Sequence, residues 1–107
     1  MLFSFSIAPS GPGSADADGS VSAAVADAVR VVRESGLPHE TTSMFTTIEG
    51  EWDECLAVIK GACDAVAAHA PRVGLVLKAD LRPGYTGQLQ AKVERVEDHL
   101  SRDGGDG

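Results

Sequence analysis

Three observations along this 107-residue chain predict an α+β sandwich. Residues 2–9 and 72–82 alternate with a period of two, and residues 20–35 and 51–69 carry apolar side chains at helical spacing. Between the helical stretches lies a Thr-rich segment, 39–49, with no helical periodicity. Periods of two and of 3.6 are what strands and helices impose on a chain with one buried face. In order they give β-α-β-β-α-β and then a further helix. With right-handed crossovers this order closes into a ferredoxin-like sandwich, a four-stranded antiparallel sheet with two helices on one face, here with an extra C-terminal helix.

In the first strand Phe3, Phe5 and Ile7 form the core face, Leu2, Ser4, Ser6 and Ala8 the other, and Pro9 ends it. The Gly- and Pro-rich segment 10–19 reads as a flexible loop. The first helix has Ser20 as N-cap, a stripe of Val21, Ala24, Val25, Ala28, Val29 and Val32, and Gly36 as C-cap with Pro38 beyond. Residues 39–49 read as a strand pair or one kinked strand, broken near Ser43. The second helix sets Trp52, Leu56, Ile59, Cys63 and Val66 on its apolar face, with Glu51, Asp53 and Glu54 at the positive end of its dipole. In the last strand Val73, Leu75, Leu77, Ala79 and Leu81 share one face, Gly74, Val76, Lys78 and Asp80 the other. Leu89, Val93, Val96 and Leu100 mark the third helix. Residues 1–101 are thus one domain and 102–107 a flexible acidic tail. The sheet face opposite the helices, with Ser4, Ser6, Gly74, Val76 and Lys78, is too mixed for a core and too small for a purely solvated surface. It predicts cover from the third helix or from another subunit, and we favour a homo-oligomer, dimer or tetramer.

Apolar residues make up 43% and charged residues 23%, ordinary globular values. Nine basic against sixteen acidic residues leave a net charge of −7, which argues against binding nucleic acid through its phosphates. No apolar run is long enough to span a membrane. The first charged residue is Asp16, so the start lacks the basic region of a secretory signal. Cys55 and Cys63, eight residues apart on one helix, are separated by ~12 Å of rise, too far for a disulfide. Both are expected as buried thiols in a reduced, cytoplasmic protein.

Motifs for chemistry are scarce. There is no Gly-x-Ser-x-Gly elbow, no CxxC, HxxxH or HExxH, and no Gly-Lys-Ser/Thr phosphate loop, so neither a metal nor a cofactor is called for. His39, His69 and His99 fall at element ends and read as exposed. An acylphosphatase shares this element order but needs a catalytic Asn, and the chain contains no Asn. An RNA-recognition module would place stacking aromatics on the open sheet face, whereas Phe3 and Phe5 face the core.

Four pieces of sequence occur in order: Phe5 to Pro9 (Phe-Ser-Ile-Ala-Pro); Glu34, Ser35, Gly36 and Leu37; Met44, Thr46, Ile48, Glu49, Gly50 and Trp52; and Lys78, Asp80 and Arg82. Together they resemble the family of small ferredoxin-like thiamine-binding proteins, over nearly the whole chain. The departure is at the third piece, where the family pattern Pro-Met-Gly is Ser43, Met44 and Phe45 here. A Phe in place of Gly fills space beside the strand and is expected to reshape a ligand pocket.

The resemblance implies non-covalent binding of thiamine or its aminopyrimidine (hydroxymethylpyrimidine) moiety, without catalysis, in transport, salvage or sensing. The alternative is an oligomeric regulatory module for another small metabolite, or for none. For thiamine, Ser6 with Thr46 or Thr47 would supply hydroxyls to the pyrimidine edge. Glu49 would supply a carboxylate, and Met44 and Phe45 would flank the rings. Thr46 and Thr47 lie on opposite strand faces, so one of them binds at most. Each residue also has a structural alternative: Ser6 as a small residue at a subunit contact, Glu49 as a carboxylate serving the helix that begins at Glu51, Trp52 as a core anchor. Lys78, Asp80 and Arg82 could equally form surface or interface ion pairs.

Overall fold

A computed structural model describes residues 1–13 and 22–105. The elements are β1 (Leu2–Ser10), α1 (Ser22–Glu34), β2 (His39–Thr41), β3 (Thr46–Glu49), α2 (Trp52–Ala67), β4 (Arg72–Asp80) and α3 (Gln88–Gly105). The sheet order is β2-β3-β1-β4 and every neighbouring pair is antiparallel. This is the predicted sandwich with its extra helix. The expected N-cap Ser20, Val21 and the side chain of Val93 lie outside the described residues.

β1 is an interior strand, with β3, and carries the largest core side chains. Phe3 and Phe5 are buried with Ile48 of β3, Val32 of α1, and Cys55, Ile59 and Ala62 of α2. Pro9 does not end β1. The strand runs on to Ser10, with Pro9 opposite Val73 of β4, while β3 accompanies β1 only from Leu2 to Phe5. Past Phe5, β1 has a partner on one side alone, and a residue without an N–H is tolerated on such a one-sided stretch.

α1 ends as its sequence specifies. Gly36 takes φ +74°, the left-handed conformation that terminates helices without a Cβ penalty. The Ser35 hydroxyl donates to the Val32 carbonyl at 2.5 Å and accepts from the Leu37 N–H at 3.2 Å, satisfying groups the helix end leaves open.

At the start of α2 the Glu54 carboxylate turns back to accept the Glu51 N–H at 3.1 Å. Gly50 makes room for it: a Cβ there would lie 2.5 Å from Glu54 Oε1 and 3.1 Å from Cys55 Sγ. The buried face of α2 is Cys55, Ile59, Ala62 and Val66, which corrects the expected stripe. Small Cys55 and Ala62 let the helix lie close, and Leu56 and Cys63 move to the flank, only half-buried. Trp52 is no core anchor: it is 44% exposed and covers Phe3 from outside, ring centroids 5.5 Å apart. Burial pushes the Cys55 thiol up to about 11, with the Glu54 charge adding to the effect, and raises Cys63 as well. Both cysteines are free.

His69 also departs from expectation. It is half-buried and pairs with Asp27 of α1 at 2.6 Å, tying the end of α2 to α1, while Arg30 holds the other carboxylate oxygen at 2.7 Å. The α3 backbone is helical through Gly105, past the boundary read at 101. α3 is attached to the sheet at β3. Its stripe residues Val96 and Leu100 are exposed. The radius of gyration, 16.6 Å, exceeds the ~13 Å of a compact chain of this length, as expected for a helix reaching out from the body.

Candidate functional site

The unequal lengths of β1 and β3 create a cleft. β3 begins at Thr46, opposite Phe5, so Ser6 and Ile7 of β1 have no neighbour on that side. α1 lies beneath with Val25, Ala28, Val29 and Val32, and the β2–β3 turn closes the rim with residues 41–46. The volume is about 190 Å3, below the ~300–1,000 Å3 of sites that enclose a drug-sized ligand. Apolar walls with hydroxyls at one edge suit a flat heteroaromatic ring, which needs stacking area and a few donors and acceptors.

Thr42 organises the turn. Its hydroxyl donates to the Phe45 carbonyl at 3.1 Å and accepts from the N–H groups of Met44 (3.4 Å) and Phe45 (3.2 Å). Thr42 N–H donates to the same carbonyl at 2.8 Å. Two-residue hairpin turns ordinarily use positive φ at Gly or Asn. Among the described residues only glycines have positive φ, so here the side-chain hydroxyl does what backbone geometry does elsewhere. It follows that a Gly at position 45 would contribute space, not backbone freedom. Phe45 occupies that space at the rim, and Met44 stands exposed beside it.

Of the six residues singled out in the sequence, Ser6, Met44, Phe45 and Thr46 line this one cleft. Thr47 and Glu49 do not. Thr47 faces the open side of the sheet and shares a 2.5 Å hydrogen bond with Ser4, in a shallow depression with Leu2, Lys78 and Asp80. Glu49 is 6% exposed and accepts the Gln88 N–H at 2.7 Å and the Leu89 N–H at 3.4 Å. It therefore caps α3, not the helix beginning at Glu51. A carboxylate at a helix N-terminus meets both the open N–H groups and the positive end of the dipole.

The α1 residues Val25 and Val29 and the hydroxyls of Thr41, Thr42 and Ser43 were not singled out as ligand residues in the sequence. The Thr-Thr-Ser run before Met44 was the available signal, since such residues before a tight turn favour side-chain-to-backbone bonds. Arg82, in the fourth piece, stacks its guanidinium over Tyr85 at 3.6 Å. Among the described residues no three His, Cys, Asp or Glu converge as a metal site. No described helix is long and apolar enough to cross a membrane.

The family model described as "Thiamine-binding protein" matches residues 3–97. The chain belongs to the thiamine-binding protein family. A UPF0045 protein of Mycobacterium bovis is 48% identical over 103 residues, 95% of this chain and 96% of the relative. A hypothetical protein of Methanocaldococcus jannaschii has a crystal structure that matches with TM-score 0.76 at 32% identity, covering 90% of this chain and 94% of the other. A Thermotoga maritima protein, assigned provisionally to thiamine biosynthesis or salvage, shares the fold with TM-score 0.69 at 22% identity, over 87% and 96% of the two chains. Family membership places this chain among proteins named for binding, and the UPF0045 relatives carry no named activity.

Proposed function

We propose that the protein binds thiamine or its aminopyrimidine moiety non-covalently in the cleft between β1, α1 and the β2–β3 turn, and releases it unchanged. The observation that carries this reading is the convergence of Ser6, Met44, Phe45 and Thr46 on one cleft. Thr46, on the helix side of the sheet with its partner Phe5, supplies a hydroxyl to the pyrimidine edge, Ser6 contributes the open stretch of β1 beside it, Met44 and Phe45 flank the ring, and Val25 and Val29 form the floor. A volume of about 190 Å3 takes one of the two thiamine rings and leaves the other at the open mouth. Glu49 takes no part in this pose, because its carboxylate is engaged by α3.

The role that follows is delivery, salvage or sensing of the vitamin in the cytoplasm by a homo-oligomer, dimer or tetramer. Exposed apolar residues on β4 and α3 support self-association. Thermal-shift and calorimetric titrations with thiamine, its pyrimidine alcohol and thiamine phosphate test the binding. A ligand at a hundred times its Kd stabilises the folded state by about 2.7 kcal/mol, a shift of several degrees in a domain of this size. No shift with any of the three at millimolar concentration would overturn the proposal. Thiamine recovered chemically altered after incubation would make the protein an enzyme instead.

A further inference from the structure

The rim of the cleft is held as firmly as its walls. β3 follows β1 only as far as Thr46, the partner of Phe5, and Phe45 is the next residue along. Phe45 therefore stands where β1 loses its neighbour, and it lines the cleft together with Ser6 and Ile7. Its backbone is tied on both sides. The Phe45 N–H donates to the Thr42 hydroxyl at 3.2 Å, and the Phe45 carbonyl accepts from that hydroxyl at 3.1 Å and from the Thr42 N–H at 2.8 Å. Bound into its own turn in this way, the backbone cannot carry the ring away, so the ring is a fixed part of the wall. The two large side chains of the turn differ in cover: Met44 is 73% exposed and Phe45 38%. Phe45 is the one that bounds the space.

We propose that Phe45 selects the ligand by size, admitting one neutral ring and keeping the second ring of a two-ring ligand outside. This rests on the reading that the cleft binds thiamine or its aminopyrimidine moiety. Every described lining residue is uncharged at neutral pH. Burying an unpaired charge among such residues is costly, so the neutral pyrimidine enters and the thiazolium stays on the water side. Phe45 offers the entering ring a stacking face. Its bulk fills the rim along which the second ring would otherwise lie, and the thiazolium adds little to binding. The preferred ligand class is then a single neutral aminopyrimidine, with its hydroxymethyl group or the remainder of the vitamin projecting from the mouth. Position 45 is free to set this choice. Its φ is not positive, so the backbone does not call for glycine, and the bonds of the turn run through Thr42 and the main chain of residue 45.

Calorimetry with thiamine and with its pyrimidine alcohol, on the unaltered chain and on two variants, tests the proposal through the ratio of the two Kd values. In the unaltered chain the pyrimidine alcohol should bind no more than about threefold more weakly than thiamine. In Phe45→Gly thiamine should bind at least about tenfold more tightly than the pyrimidine alcohol, because the second ring gains contact along the rim while the first loses its stacking partner. Phe45→Leu keeps the bulk and should keep the ratio of the unaltered chain. Thermal unfolding checks that each variant is folded, and Phe45→Ala, which retains a Cβ, makes the same comparison if Phe45→Gly is not. A larger preference for thiamine in the unaltered chain, or a ratio that opening the rim fails to raise, overturns selection by size. A ratio that rises as much in Phe45→Leu as in Phe45→Gly assigns the effect to the aromatic face and overturns it as well. Binding of neither ligand to the unaltered chain overturns the reading of the cleft itself.

Discussion

The two sides of the sheet solve the burial problem in opposite ways. On the β3 side, β1, β3, α1 and α2 bury Phe3, Phe5 and Ile48 almost completely, and the short hairpin is held by hydroxyl bonds within its own turn. On the β4 side, Leu75 and Leu77 of the core face stay exposed. One side is finished within a single chain and the other is not. The cleft sits on the finished side, where four chain segments fix its walls. The proposed ligand cleft and the exposed leucines of β4 thus lie on different surfaces and should be separable by mutation.

The largest expected effect breaks the finished side. Phe3→Ala should cost about 3–5 kcal/mol of unfolding free energy, a loss typical of emptying a packed aromatic site. Leu77→Ala, at a 40% exposed position, should cost roughly 1 kcal/mol in the dilute chain and show more strongly as weakened self-association. Urea denaturation at two protein concentrations distinguishes the two behaviours.

Next comes the cleft itself. Thr46→Ala should weaken binding several-fold, since a neutral hydrogen bond contributes about 0.5–1.5 kcal/mol. Thr47→Ala should leave the Kd unchanged, because Thr47 faces the other side of the sheet and pairs with Ser4. Calorimetry on the three proteins sharpens which hydroxyls touch ligand. Equal losses from Thr47→Ala and from Thr46→Ala would move the site to the open sheet face.

Glu49→Gln should cost about 1 kcal/mol, the usual scale for a weakened cap. The loss should be local, with hydrogen exchange at the Gln88 and Leu89 amides accelerating up to about tenfold while Phe3 and Ile48 stay protected. The smallest effect is the pH response of the α1–α2 tie. Hydrogen bonds from His69 first, and from Arg30, hold the Asp27 carboxyl below the usual carboxylate range. A lowered folded pKa gives stability that is present above the unfolded value near ~4 and is lost as pH falls through the folded value. Urea midpoints at pH 7 and pH 3 should converge slightly in Asp27→Asn relative to the unaltered chain.

Much of the fold was legible in the sequence because its signals are local. Alternation gave β1 and β4, the Thr-rich segment gave the hairpin broken at Ser43, and Ser35-Gly36-Leu37 marked the end of α1. The cleft was legible in part for the same reason: Met44, Phe45 and Thr46 are consecutive, and Ser6 lies one position past Phe5, the partner of Thr46. Its α1 floor was not legible, since Val25 and Val29 look like any other residues of an apolar stripe. Glu49 was misplaced for a related reason. The nearest helix in sequence begins two residues on, but the amides it caps are 39 and 40 residues away. The phase of α2 slipped because periodicity favours large side chains, whereas close packing against the sheet selects small ones.

Alone, then, the sequence determined the order and type of the elements, the turn chemistry and the family pattern, all of which depend on neighbours a few residues apart. Tertiary structure decided which of two threonines meets the cleft, which helix Glu49 caps, and which apolar residues remain uncovered. Those outcomes depend on which strands end early beside which others, and so on contacts between segments that no local period encodes.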